Sequence, residues 1–152
     1  GTWTWRQLVT PPSGPYQSYS ITVDVDGDDL VVGVPREGGQ FAGAVHAFRW
    51  ADSTWTYAGR LTDPGHTPQE PTRYFSHAVA LEDGRLVVGA PGSPGRAGLF
   101  EWSGGAWAHR AALLLDSPYS CDAEITSCRY DEFGGAVALA GATVVVGAPG
   151  TA

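Results

Sequence analysis

YSITVDVDGDDLVVGVP (residues 19–35), FSHAVALEDGRLVVGAP (75–91) and FGGAVALAGATVVVGAP (133–149) align without a gap, and this alignment decides the fold. Gly33, Gly89 and Gly147 recur 56 and 58 residues apart, with Pro35, Pro91 and Pro149 in the same register. A fixed period of this length marks a repeat architecture. In each copy, two short runs of alternating or β-branched apolar residues flank a turn, which is the pattern of a hairpin. The turns are expected at Asp26-Gly27, Asp83-Gly84 and Ala140-Gly141.

A second block shares the period. GTWTWRQLV (1–9), STWTYAGRL (53–61) and GAWAHRAAL (105–113) place Trp3, Trp55 and Trp107 at intervals of 52 residues. Between the blocks lies a third run, AVHAFRW (44–50) and AGLFEW (97–102), which is absent from the third copy. Each full unit therefore holds four short strands, a to d, with a further tight connection from c to d at Ser103-Gly104-Gly105. No segment carries a convincing helical period. The expectation is an all-β chain built from β-propeller blades of four antiparallel strands, about three repeats in all.

The strings FSHAVAL…LVVGAPG and FGGAVAL…VVVGAPG resemble FG-GAP repeats, the blade unit of integrin-like propellers, especially the bacterial form with a TW-containing last strand. The resemblance covers nearly the whole chain except the inter-repeat loops. Residues 1–152 then form one propeller unit: strand d of a split blade and a loop (1–18), two repeats (19–74 and 75–132), and the start of a split third repeat (133–152). A propeller needs at least four blades, so closure is expected from a second copy, a partner chain or a missing remainder. A homodimer forming a ring of about six blades is the favoured form, with a fragment of a longer propeller next.

Composition narrows the class. Of 152 residues, 43% are hydrophobic and 16% charged, enough apolar material for a substantial core. A net charge of −7 argues against nucleic acid and anionic membrane as partners, both of which select a basic footprint. The chain has no Lys, Asn or Met, starts at Gly1, and contains no apolar run of 18 residues, so a processed, secreted protein without membrane insertion is expected. Cys121 and Cys128 lie close together and lack the second Cys/His pair of a zinc site. They read as a local disulfide, worth about 2.5 kcal/mol in the chain-entropy model, in an oxidising compartment; a pair of reduced surface thiols is the alternative.

Asp24, Asp26 and Asp28 resemble the start of a calcium loop, and integrin-like propellers carry such loops in their blades. The aligned positions in the other copies, Ala80, Glu82, Gly84 and Ala138, Ala140, Ala142, cannot bind calcium in the same way. Calcium therefore stands beside the alternative of a solvated acidic hairpin, and no other cofactor is expected. The histidines show no metal-ligand spacing, and neither a GxSxG nucleophile nor a phosphate loop leading into a helix is present.

A Trp at one position of every repeat is most simply a packing residue. Positions that vary between repeats are freer to serve a ligand, and these include Trp5, Tyr57 and His109. The loops after strand d also vary, and Asp116–Glu132 adds Tyr119 and Tyr130 to the cysteine pair. The expected function is that of a secreted lectin-like or adhesion-like propeller binding carbohydrate or protein. A structural module of a larger surface protein is the alternative, ahead of an enzyme with its site at the channel mouth.

Overall fold

The computed structural model describes residues 1–12, 22–66, 74–92, 95–115 and 132–150. Within them lie two four-stranded antiparallel sheets and one two-stranded hairpin. The first sheet is β1 (Thr22–Asp26), β2 (Asp29–Val34), β3 (Ala44–Ala51) and β4 (Thr54–Leu61), hydrogen-bonded in that order. The second repeats it as β5 (Ala78–Glu82), β6 (Arg85–Ala90), β7 (Arg96–Ser103) and β8 (Ala106–Leu114). β9 (Ala136–Ala140) and β10 (Thr143–Gly147) make the hairpin. The chain is all-β, as its two-residue apolar alternation requires.

The turns refine the expected register. Asp26 pairs with Asp29 and Ala140 with Thr143, so the two-residue loops are Gly27-Asp28 and Gly141-Ala142, one residue later than expected. Glycine takes the first loop position in both, at φ 54° and 56°, as a type II′ turn demands. Asp83-Gly84 falls where expected, with φ 48° and 67°, the two positive values of a type I′ turn. Strands β4 and β8 each skip one residue of the ladder, Ala58 and Arg110, at corresponding positions.

The sheets stack front to back. Val31, Val45, Ala47 and Leu61 on the front of the first sheet share a core with Phe75, Leu81, Leu86, Val88 and Phe100 on the back of the second. In turn, Ala80, Val87, Ala97, Leu99 and Leu113 on the second sheet's front meet Val137, Leu139, Val144 and Val146 of the hairpin. β1 lies beside β5, and β5 beside β9, so the first strands of the repeats run next to one another.

Close backbone approach explains the recurrent spelling of the repeat. Phe75 forms a parallel bridge to Gly43, and its N–H donates to the Ala42 carbonyl at 3.2 Å. A Cβ on Gly43 or Gly95 would overlap the backbone of Phe75 or Phe133, and one on Gly33 or Gly89 would overlap Ser76 or Gly134. The second and third repeats thus begin by closing against the sheet before them. Ser76 sits at φ 78°, fully buried, and its hydroxyl has no partner among the described residues; Gly134 takes the same place in the third repeat at φ 97°. Ser76→Gly should relieve left-handed strain and a buried unsatisfied hydroxyl, raising stability by about 1 kcal/mol after the glycine's extra chain entropy. Urea unfolding of the two proteins measures it, and a lower midpoint in the variant contradicts this account.

Residues 1–12 form no strand, in contrast to the strand d expected there. A strand exists by its hydrogen-bonded neighbour, and among the described residues none runs beside this segment. It is held instead by Gln7, whose Oε1 accepts from the Trp55 N–H at 2.8 Å and the Thr54 hydroxyl at 3.1 Å while its Nε2 donates to the Trp55 carbonyl.

Candidate functional site

The connection from Val34 to Ala44 is longer than its counterpart in the second repeat: seven residues separate Pro35 from Gly43, but three separate Pro91 from Gly95. The extra chain forms a 3-10 turn at Gly39–Phe41 and brings Arg36, Glu37 and Phe41 over one end of the first sheet. Two side-chain clusters result.

In the first, the Glu37 carboxylate accepts from His46 Nε2 at 2.6 Å and from Arg60 Nε at 2.6 Å. His46 is buried on β3, and its Nδ1 lies 3.3 Å from the Tyr57 hydroxyl on β4. A carboxylate can only accept, so Nε2 carries a proton and Nδ1 faces the hydroxyl. Burial works to raise the Glu37 pKa, but the hydrogen bonds and charges of His46 and Arg60 outweigh it and hold the carboxyl below its ordinary 4.5. A depressed carboxyl pKa contributes stability that is present above 4.5 and lost as pH falls through the folded-state value. Glu37→Gln should accordingly flatten the decline of the urea midpoint below about pH 4.5. An unchanged slope would remove Glu37 as its source. Asp29 has the opposite sign: burial, opposed by Arg49 and reinforced by Asp28 and Asp26, raises its pKa.

In the second cluster the rings of Phe41 and Tyr74 stack at 8°, centroids 6.2 Å apart, with the Arg36 guanidinium 5.6 Å and 5.9 Å from their centres. Phe41 and Tyr74 both adopt positive φ, 53° and 52°, conformations that cost energy in non-glycine residues and concentrate at functional loops. For Tyr74 this is partly the scaffold's requirement, since Glu132 has φ 52° at the same repeat position.

The residues expected to bind ligand are not all brought together. Tyr57 is exposed beside His46, yet its ring also packs edge-on against Phe48 at 5.5 Å. His109 packs in the same way on Phe100 at 5.2 Å, so at both positions the side chain completes a cross-strand aromatic pair. Trp5 stands 82% exposed on the N-terminal segment, apart from the loop clusters. Tyr119, Tyr130, Cys121 and Cys128 lie outside the described residues.

The acidic hairpin has structural partners. Asp24 Oδ2 accepts from the Leu81 N–H at 2.8 Å and Asp26 Oδ2 from the Asp83 N–H at 2.7 Å, each reaching from the first sheet to the second. Glu82 repeats the Asp26 contact one sheet on, accepting from the Gly141 N–H at 2.6 Å. Asp28 is exposed on the turn. Among the described residues no group of three His, Cys, Asp or Glu side chains is placed to hold a metal ion.

Residue type alone does not mark Arg36, Glu37, Phe41, His46, Arg60 and Tyr74. Two signals in the sequence mark them: the lengthened loop, and the change from His46 and Arg60 to Gly98 and Ala112 in the next repeat. No protein-family model matches the chain, and no curated protein matches it.

Proposed function

We propose that the chain is a secreted β-propeller module of FG-GAP type that binds a carbohydrate or protein ligand at the loop end of its sheets. The observation that carries this reading is the gathering of repeat-specific side chains, Arg36, Phe41, Tyr74 and the Glu37–His46–Tyr57–Arg60 set, at one end of an otherwise uniform scaffold. The second repeat stacks without counterparts of Arg36, Glu37, Phe41, His46 and Arg60, so the scaffold does not require these five; Tyr57 borders them while also completing its cross-strand pair with Phe48. A stacked aromatic pair beside an arginine suits a sugar ring or a peptide side chain. Glycan-array binding and affinity capture with the wild-type chain and Arg36→Ala test it. Retention of a ligand by the wild type and its loss in the variant is the expected result; no ligand, or equal capture by both, refutes it.

A ring completed by a second copy belongs to the same proposal. Val79 and Leu81 on the back of the second sheet are covered by the first sheet, while the corresponding Val23 and Val25 are 64% and 57% exposed. The back of the first sheet is thus shaped to receive another front. Sedimentation measures it directly: a species of 16.0 kDa excludes the dimer. The structural-module reading draws on the acidic staples, which fasten sheet to sheet independently of any ligand.

A further inference from the structure

We propose that Trp50, Trp55 and Asp28 form a receptor for a guanidinium group, carried by an arginine on an extended segment of a partner polypeptide. The site lies at the turn end of the first sheet, away from the loop clusters and independent of the reading given for them. It is on the same back face as Val23 and Val25, so the partner segment and a second copy would compete for it.

The template is internal. In both sheets a Trp of the third strand meets a Trp of the fourth edge-on: Trp50 and Trp55 at 5.3 Å and 64°, Trp102 and Trp107 at 5.7 Å and 69°. Both pairs are fixed to the neighbouring turn in the same way, Trp50 N–H to the Asp28 carbonyl and Trp102 N–H to the Gly84 carbonyl, each at 2.8 Å. In the second sheet the aromatic pair is occupied. Arg49, on the front of the first sheet, lays its guanidinium 4.6 Å from the Trp102 ring centre.

No such group covers the first pair among the described residues. A cavity of about 480 Å³ opens there instead, lined by Arg6, Gln7, Gly27, Asp28, Trp50 and Trp55. One wall belongs to the N-terminal segment, fastened to Trp55 through Gln7. By repeat position, Gln7 corresponds to Gly59, and Ala58 beside Gly59 packs into the same core as Trp107. The N-terminal segment therefore stands to Trp55 as β4 stands to Trp107, and the cavity corresponds to the place of the strand that carries Arg49.

Charge adds what shape alone does not. An indole face attracts a guanidinium through its quadrupole, and arginine stacks there better than lysine. Asp28 replaces the second sheet's Gly84 and supplies a carboxylate that the occupied pair lacks. Arg6 shares the cavity, so this carboxylate has a competing internal cation, and removing Arg6 should strengthen the site.

The test uses the whole 152-residue chain and follows its indole N–H resonances during titration with N-acetyl-arginine amide. Saturable shifts of the Trp50 and Trp55 signals are expected, with a dissociation constant on the order of millimolar. N-acetyl-citrulline amide, of the same shape without the charge, should leave them in place. Asp28→Asn should weaken binding roughly threefold and Trp50→Leu roughly fivefold; Arg6→Ala should tighten it. Asp28 lies on an exposed turn, so its variant tests the site even if Trp50→Leu folds poorly. Absence of a saturable response, an equal response to citrulline, or unchanged affinity in Asp28→Asn overturns the proposal.

Discussion

Gly89→Ala is expected to destabilise the protein by about 3 kcal/mol or more, enough to lower the thermal midpoint by roughly 10 °C in a chain of this size. The cause is the backbone. A methyl group on Gly89 would overlap the carbonyl oxygen of Gly134, where the third repeat crosses the second sheet. No side chain can rotate away, so the hairpin β9–β10 must shift, carrying Val137, Leu139, Val144 and Val146 off the front of the second sheet. Gly147 is the control. It occupies the same place in the repeat, but its nearest described neighbour is the Ala136 methyl at 3.3 Å, and Gly147→Ala should cost less than about 1 kcal/mol. Equal effects at the two sites would show that the glycines serve the strand itself and not the crossing.

Phe75→Ala should be as damaging, by about 3–5 kcal/mol. Phe75 is 1% exposed, lies edge-on to Phe100 with centroids 6.0 Å apart, and belongs to the core between the first two sheets. Its removal leaves a cavity at the joint where its own backbone also pairs with Gly43. Phe75→Leu retains most of the volume and should lose less than half as much. Denaturant unfolding of the two variants distinguishes a packing role from a purely backbone one, for which Ala and Leu would be alike.

These joints show what the sequence made legible. The four strands of each sheet, their order and their hairpins follow from apolar alternation and turn residues, and the glycine at 33, 89 and 147 announces itself by recurrence. Its cause does not, because the atom that forbids a side chain at 89 belongs to Gly134. The same holds for Asp24 and Asp26. A run of carboxylates suggests an ion loop or a solvated turn, whereas their partners are backbone N–H groups 57 residues away. The one-residue error in two turns has a local origin: Gly27 and Gly141 satisfy the first position of a II′ turn as readily as the second of a I′ turn, and only the ladder distinguishes them.

The candidate site was less legible than the scaffold. Tyr57 stood out by varying between repeats, as did His109, but both complete aromatic pairs with the third strand. Glu37 is a single acid in a glycine-rich loop, a pattern that carries no functional mark of its own. Its importance comes from His46 and Arg60, which strand pairing brings side by side across β3 and β4.

The bridge between Gly43 and Phe75 has a consequence for biosynthesis. The front of the first sheet lacks its cover until the following repeat, from Phe75 through Phe100, has left the ribosome, so this sheet matures one step behind its own translation. Chain growth and sheet closure are thereby coupled in one direction, from the N-terminal repeat onward, and a stall within a repeat would leave the preceding one unsealed.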